Sequence, residues 1–260
     1  MRTDRIYFPK QKTPCVFPDE RSNLEQAISE LDLKGRYPVI VLIGAEIDEQ
    51  QIDATRHAIQ NISRIAEEMK AIVIGGGTNL GVMAEIGQIR SEKGYKFPLI
   101  GVAPEELVTW PGGPRNTRFL WWGKQRWQLE SHYSHFILVP GSNFGDESPW
   151  IVDVTTLLSK DHKSVTILMN GGEVSRKDIE LSLDMGRPVI ALSRTGGLAD
   201  ELARQPNRNE LITVIPSNAE QRIAEAVQAA LSVHEKKPVT PNVDQEQANS
   251  IKQLITLPGG

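Results

Sequence analysis

The residues with the clearest chemical potential are the three consecutive glycines Gly75-Gly76-Gly77, which Thr78 and Asn79 follow directly. A short β-branched run precedes them, and a helical pattern opens at Leu80. A glycine turn that leads a strand into a helix exposes backbone N–H groups at the positive end of the helix dipole, where a phosphate can bind. We therefore predict a nucleotide-like ligand at this turn.

Most of the other apolar runs also end in small residues. In an open parallel sheet, ligands bind outside the carboxyl ends of the strands, so these endings should meet at one edge. We expect phosphates to lie against Gly75–Asn79 and Gly141–Gly145, with Arg194 completing the pocket and Glu46 and Asn79 contacting ribose hydroxyls. Besides the glycine turn, the predicted ligand-binding residues are Gly44, Ala45, Glu46, Ala103, Pro104, Gly141, Ser142, Asn143, Phe144, Gly145, Gly171, Arg194, Gly196 and Gly197.

Asp146 and Glu147 are the candidate catalytic residues of this edge. They stand at the start of a predicted helix, where a carboxylate can position water or stabilise an oxocarbenium-like sugar during hydrolysis of a ribosyl bond. Acidic residues in a first turn also cap helices, and we favour capping over catalysis. Asp153, further along the helix, is expected to be solvated or to act only indirectly.

His132 and His135 are spaced as metal ligands can be, but we predict no metal site. No cysteine and no third ligand is evident nearby, and positions three apart in a strand point to opposite faces. A hydrogen bond within the core or to a neighbouring loop is the expected role of these histidines.

The segment 110–127 holds four of the five tryptophans, together with Arg115, Arg118, Lys124 and Arg126. Arg–aromatic clusters can stack a base and clamp a phosphate. They also occur in oligomer interfaces, and a long loop of this kind can cover a pocket as a flap. The three alternatives stay open, with packing or an interface favoured.

Familiar nucleotide-binding and hydrolase motifs are missing. Leu80 occupies the position of the third glycine in a dinucleotide-binding fingerprint, and no acidic residue closes a strand about 20 residues later. No Gly-Lys-Ser/Thr sequence follows a glycine turn, and no Gly-x-Ser-x-Gly elbow is present. A standard NAD dehydrogenase, a P-loop NTPase and an α/β-hydrolase are therefore not expected.

The elements that must position these residues alternate regularly between strand and helix. This rhythm predicts an α/β fold, a Rossmann-like three-layer sandwich with a mostly parallel sheet of about seven strands. The predicted strands are Val39–Ile43, Ala71–Ile74, Pro98–Ala103, His135–Val139, Ser164–Met169, Pro188–Leu192 and Leu211–Ile215. The predicted helices are Asn23–Leu33, Gln51–Met69, Leu80–Glu92, Trp150–Leu158, Ser175–Met185 and Glu220–Leu231.

The composition of the chain restricts the cellular location and the partners that we expect. A net charge of −4 argues against a nucleic-acid partner, and the single cysteine, Cys15, fits a reducing cytoplasm. No apolar run is long enough to cross a bilayer, and no secretory signal is visible. We predict an N-terminal extension over 1–35, one nucleotide-binding domain over 36–232 and a polar tail over 233–260.

The order of several motifs resembles the SLOG superfamily. These motifs are Gly-Gly-Gly-Thr-Asn-Leu-Gly-Val-Met from residue 75, Pro-Leu-Ile-Gly-Val-Ala-Pro from residue 98, Leu-Glu-Ser-His-Tyr-Ser-His-Phe-Ile-Leu-Val from residue 129 and Arg-Pro-Val-Ile-Ala-Leu-Ser-Arg-Thr-Gly-Gly-Leu-Ala-Asp from residue 187. Residues 36–230 are especially similar to prokaryotic relatives of the cytosolic N-terminal domain of TRPM channels. The resemblance implies a Rossmann-like fold whose sheet edge holds a nucleotide-derived ligand, which is ADP-ribose in some channel members.

The same superfamily includes the LOG enzymes, which hydrolyse the N-glycosidic bond of nucleoside monophosphates. Their Pro-Gly-Gly-x-Gly-Thr-x-x-Glu motif corresponds here to Pro140-Gly141-Ser142-Asn143-Phe144-Gly145-Asp146-Glu147, which keeps the first two residues and shifts or replaces the others. We therefore expect a cytoplasmic sensor of an ADP-ribose-like ligand that requires no cofactor and passes its signal on as a homo-oligomer or through a separate effector protein. The alternative is a LOG-type nucleotide phosphoribohydrolase.

Overall fold

The computed structural model of the protein describes residues 1–33, 37–47, 49–117, 125–159, 164–206 and 209–232. This part of the chain alternates between strands and helices. The strands are β1 Arg2–Tyr7, β2 Lys12–Phe17, β3 Val39–Gly44, β4 Ile72–Gly75, β5 Leu99–Pro104, β6 Val108–Thr109, β7 Trp127–Gln128, β8 His135–Val139, β9 Ser164–Met169, β10 Val189–Ser193 and β11 Ile212–Pro216. The α-helices are α1 Leu24–Glu30, α2 Ile52–Glu68, α3 Gly81–Glu92, α4 Ser148–Ser159, α5 Glu173–Asp184, α6 Gly197–Arg204 and α7 Glu220–Leu231.

One nine-stranded sheet runs through the molecule in the order β1-β2-β8-β5-β4-β3-β9-β10-β11. β1 and β2 form an antiparallel hairpin, and every other neighbouring pair in this sheet is parallel. The short strands β6 and β7 pair separately. The prediction of an α/β fold with a mostly parallel sheet is confirmed.

Helices cover both faces of the sheet, because its central strands are apolar on both sides. Ile40 and Leu42 of β3 belong to the same apolar cluster as residues of α2, α3 and α7, whereas Val41 and Ile43 belong to the cluster that includes residues of α1, α4, α5 and α6. The result is the expected three-layer sandwich. No helix among the described residues combines the length and apolar character that a membrane span requires.

The strand count was underestimated, because β1 and β2 come from the first 17 residues. Prolines at 9, 14 and 18 and many charged residues hid both strands, since proline cannot donate to a ladder. Pro14 is tolerated because β2 meets β8 only at Cys15 and Val16. Part of the segment predicted as an N-terminal extension thus belongs to the sheet, while the predicted tail over 233–260 lies outside the described residues.

The direction in which the sheet grows reverses at β3. From β3 the chain adds β4, β5 and β8 on one side, and then returns to place β9, β10 and β11 on the other. The helix that follows β3 packs in one layer and the helix that follows β9 packs in the opposite layer. The carboxyl ends of β3 and β9 therefore flank the crevice in which open α/β sheets bind ligands.

The contribution of the N-terminal strands to stability can be measured by comparing Phe8→Ala with Tyr7→Ala. Phe8 is buried, and its ring centroid lies 6.1 Å from that of Phe136, whereas Tyr7 is exposed. We expect Phe8→Ala to lower the free energy of unfolding by about 3 kcal/mol, as for other buried phenylalanines, and Tyr7→Ala to change it by less than about 0.5 kcal/mol. Equal, small losses in urea denaturation would show that this segment is not part of the folding unit.

Candidate functional site

A cavity of about 370 Å³ opens at the crevice between the carboxyl ends of β3 and β9. Its walls come from the segments that follow β3, β4, β8 and β9, so four separate connections converge there. Most of the surface is apolar, and the polar groups are chiefly carboxylates. The lining residues are Leu42, Ile43, Gly44, Ala45, Glu46, Gly76, Thr78, Leu80, Met83, Phe144, Glu147, Ile151, Gly172, Glu173, Val174, Ser175 and Asp178.

Some of the site residues predicted from the sequence line the cavity, and others lie outside it. Six of the predicted ligand-binding residues line it, namely Gly44, Ala45, Glu46, Gly76, Thr78 and Phe144, as does the candidate catalytic residue Glu147. The remaining predicted positions belong to the same edge but do not line this cavity, namely Gly75, Gly77, Asn79, Ala103, Pro104, Gly141, Ser142, Asn143, Gly145, Gly171, Arg194, Gly196, Gly197 and Asp146.

The glycine turn after β4 is shaped by close backbone packing. Gly77 has φ of +71°, and a Cβ atom there would lie 2.7 Å from Cα of Gly101 on the neighbouring strand. Gly76 differs, because a Cβ atom there would meet only Met83 Cγ, at 3.9 Å. Gly77 is therefore required by the fold, whereas Gly76 leaves space at the cavity wall.

The loop after β8 uses its own carboxylates to satisfy its backbone. Asp146 Oδ2 accepts hydrogen bonds from the N–H groups of Ser142 and Asn143, each at 3.0 Å, and Glu147 Oε2 accepts one from the N–H of Gly145 at 2.7 Å. Three of the amides that we expected to hold phosphate thus already have an internal acceptor.

A second set of amides lies at the start of α5. The N-cap residue is Gly172, which offers no capping side chain, and Gly172 to Ser175 line the cavity. The first intrahelical bond runs from the N–H of Arg176 to the carbonyl of Gly172. The first-turn N–H groups of α5 thus stand at the cavity without a side-chain cap, where a helix favours an anion.

Two carboxylates face the cavity from a mostly apolar environment. Burial raises the pKa of Glu147 to about 7 and that of Asp178 to about 6, and the negative charge of Asp178 adds to the increase at Glu147. Perturbed carboxyl groups inside a cleft are typical of functional sites. Asp178 was missed in the sequence, although its spacing from Ser175 and Ser182 places it on the buried face of α5.

Arg194 and the glycines after β10 occupy a different position from the one expected. Asp200 holds this turn closed, accepting hydrogen bonds from the N–H groups of Arg194 at 2.5 Å and Gly196 at 3.3 Å. The turn follows β10, two strands away from β3, and Arg194 does not line the cavity.

The histidines have internal partners. His132 pairs with the buried Glu130, and His135 Nδ1 lies 2.8 Å from the hydroxyl of Ser134. Burial, assisted by the charge of Arg90, lowers the pKa of His135 to about 4, so this ring is neutral at physiological pH. Within the described ranges, no group of three or more His, Cys, Asp or Glu side chains is arranged to hold a metal ion.

The tryptophan-rich segment touches the cavity from outside. The ring of Trp127 stands edge-on to that of Phe144 at 4.9 Å, and Phe144 lines the cavity. Trp110 packs against Phe17, with 5.9 Å between ring centroids. The central part of the segment, 118–124, lies outside the described residues, and Arg118 and Lys124 with it.

Comparisons with known proteins agree with the fold. A family model described as "SLOG in TRPM, prokaryote" matches residues 37–236, while no curated protein matches the chain significantly. The structure is similar to that of a structural-genomics target, TM1055, with 16% identity, a TM-score of 0.52 and coverage of 74% of this chain and 98% of that one.

Two further similar structures have names that mention the molybdenum cofactor. One is the molybdenum cofactor binding protein from the phototrophic bacterium Rippkaea orientalis, with 18% identity, a TM-score of 0.51 and coverage of 76% of this chain and 100% of that one. The other is the molybdenum cofactor carrier protein from Chlamydomonas reinhardtii, with 20% identity, a TM-score of 0.49 and coverage of 75% and 99%. At 16% and 18% identity, the likeness to TM1055 and to the Rippkaea orientalis protein shows the fold alone.

The burial of Glu147 makes stability depend on pH, and Glu147→Gln should remove much of that dependence. The pKa of Glu147 is higher in the folded protein than in the unfolded chain. The contribution of the protonated Glu147 side chain to the free energy of unfolding is therefore fully present below about pH 4.5 and is lost as the pH rises through about 7. Relative to wild type, we expect the variant to gain on the order of 2 kcal/mol in unfolding free energy at pH 8 and little at pH 5.

The matched control is Glu46→Gln, at an exposed carboxylate of the same cavity. Urea denaturation of both variants at the two pH values measures the difference. If the free energies of unfolding of Glu147→Gln and Glu46→Gln change identically between the two pH values, burial of the ionised Glu147 side chain does not destabilise the protein.

Proposed function

The chain belongs to the prokaryotic SLOG-in-TRPM family, and we propose that it binds a nucleotide-derived ligand of the ADP-ribose class in the cavity between β3 and β9. The observation that carries this proposal is the position of the cavity at the crevice where the sheet reverses its growth. The family supports a ligand-binding role, and the lining residues support the class of ligand.

Each part of a nucleotide has a matching part of the cavity. The side chains of Leu42, Met83 and Ile151 provide apolar surface for a flat base. Glu46 offers carboxylate oxygens to ribose hydroxyls, which are hydrogen-bond donors. The uncapped first turn of α5, from Gly172 to Ser175, is the proposed phosphate position in place of the loop after β8.

Direct binding tests this proposal. The panel of ligands consists of ADP-ribose, NAD, AMP, ADP and ATP. It also includes the molybdenum cofactor, which is a phosphorylated ring compound and is the ligand mentioned in the name of the Rippkaea orientalis protein. A ligand at about 100 times its dissociation constant should stabilise the protein by about 2.7 kcal/mol, which a thermal-shift assay detects. Absence of any shift across the panel would contradict the proposal.

Gly76→Val should weaken ligand binding strongly without unfolding the protein. The new side chain has room within the fold, because the nearest atom to a Cβ at this position is 3.9 Å away, but it fills space at the cavity wall. We expect at least a ten-fold loss of affinity by calorimetry and a smaller loss for Gly76→Ala. Gly172→Val, at the start of α5, is the second variant, since Gly172 also lines the cavity and a Cβ there meets nothing within 4 Å. Undiminished affinity in both folded valine variants would place the ligand elsewhere.

A second candidate function is hydrolysis of an N-glycosidic bond, which the Glu147–Asp178 pair favours. In this reaction water attacks the anomeric carbon, the bond from that carbon to the base breaks, and a proton goes to the departing base. Protonated Glu147 would donate that proton, and ionised Asp178 would orient the water and accept its proton.

Turnover separates the two functions. If the protein is an enzyme, AMP or another nucleotide of the panel should release free base, and Glu147→Gln and Asp178→Asn should each lower the rate by at least a hundred-fold. Intact ligand recovered after incubation with wild-type protein would contradict hydrolysis and leave binding as the function.

A further inference from the structure

A second cavity, of about 610 Å³, lies on the side of the sheet that α3 covers. We propose that it is a separate binding site for a neutral planar heterocycle of the nucleobase class. Among the described residues, the two cavities share no lining residue. The proposal therefore stands independently of the function proposed for the cavity between β3 and β9.

A histidine with a fixed tautomer forms one wall of this cavity. His132 Nδ1 lies 2.7 Å from Glu130 Oε1, and the backbone N–H of His132 donates to Glu130 Oε2 at 2.8 Å. A carboxylate on one ring nitrogen keeps the proton there and leaves the other nitrogen as a hydrogen-bond acceptor. The His132 side chain is 29% exposed, so Nε2 can accept a hydrogen bond from an N–H group of a ligand.

Two energetically unfavourable features accompany the His132–Glu130 pair, namely a buried carboxylate and a glycine within a helix. The Glu130 side chain is only 3% exposed, and burial raises its pKa. Gly87, within α3, makes room for it, because any Cβ at that position would overlap the Glu130 carboxylate. Glycine weakens a helix interior and a buried carboxylate is costly, so the arrangement indicates a role for the oriented imidazole beyond packing.

The other walls match a flat molecule with several hydrogen-bonding groups. Trp110 supplies an aromatic side chain, and aromatic rings stack on any base. Asn79, Gln88 and Gln128 contribute amide groups, each of which can donate and accept. Of the described residues that line this cavity, none is Lys or Arg and none lies in the first turn of an α-helix, which favours a neutral ring over a phosphate.

Histidine-selective ¹⁵N NMR tests the site with adenosine as the probe and ribose as the sugar-only comparison. The His132 signals are assigned by their loss in His132→Gln. We expect the Nε2 signal of His132 to move on addition of adenosine and to stay in place with ribose. The same movement should persist in Gly76→Val, in which the new side chain narrows the cavity between β3 and β9, so the two proposals fail separately.

Variants test the walls. Trp110→Leu should weaken adenosine binding by about ten-fold or more, as expected when base stacking is lost. His57→Gln is the matched control, because His57 is exposed and pairs with Glu220 on another part of the surface, and it should leave the affinity unchanged. A stationary His132 signal, equal movement with ribose, or undiminished affinity in folded Trp110→Leu would each overturn the proposal.

Discussion

The reversal of sheet growth at β3 is the constraint on which the rest of the site depends. Because the helix after β3 and the helix after β9 pack on opposite faces, no helix in the described part of the chain fills the space between the two strand ends. The glycine turn after β4, the loop after β8 and the N-terminus of α5 close around that space. Gly44 and Gly81 show how tight this closure is, since a Cβ at either position would overlap neighbouring atoms.

The carboxylates at this edge of the sheet are placed in an unusual way for an edge that is proposed to bind phosphate. The loop amides after β8 and after β10 are satisfied by Asp146, Glu147 and Asp200, so the protein uses its own carboxylates where a phosphate was expected. The amides at the start of α5 have no such capping side chain.

The turn Gly76–Asn79 borders both cavities, because Thr78 lines one cavity and Asn79 lines the other. Backbone hydrogen bonds between this turn and residues 128–130 hold it in place.

Much of the fold could be predicted from the sequence, because buried parallel strands are continuous apolar runs and amphipathic helices repeat with a helical period. β1 and β2 could not, since their prolines and charges resemble a loop, and α6 is too short to show its period. Of the residues that line the cavity between β3 and β9, Gly76, Glu46 and Phe144 were predicted from their places after strand ends. Asp146 accepts hydrogen bonds from the backbone of Ser142 and Asn143, and the sequence does not show that the loop brings these residues together. Asp178 could not be told from a solvent-exposed acid of a surface helix, because its burial depends on where α5 packs.

Methionine-methyl NMR tests the central claim most directly. The protein has five methionines, and Met83 is the one whose side chain lines the cavity between β3 and β9. On titration with ADP-ribose, binding in that cavity predicts a large shift of the Met83 methyl signal, assigned through Met83→Leu, while those of Met69 and Met185 stay in place. Saturable binding that leaves the Met83 signal unmoved would contradict the account.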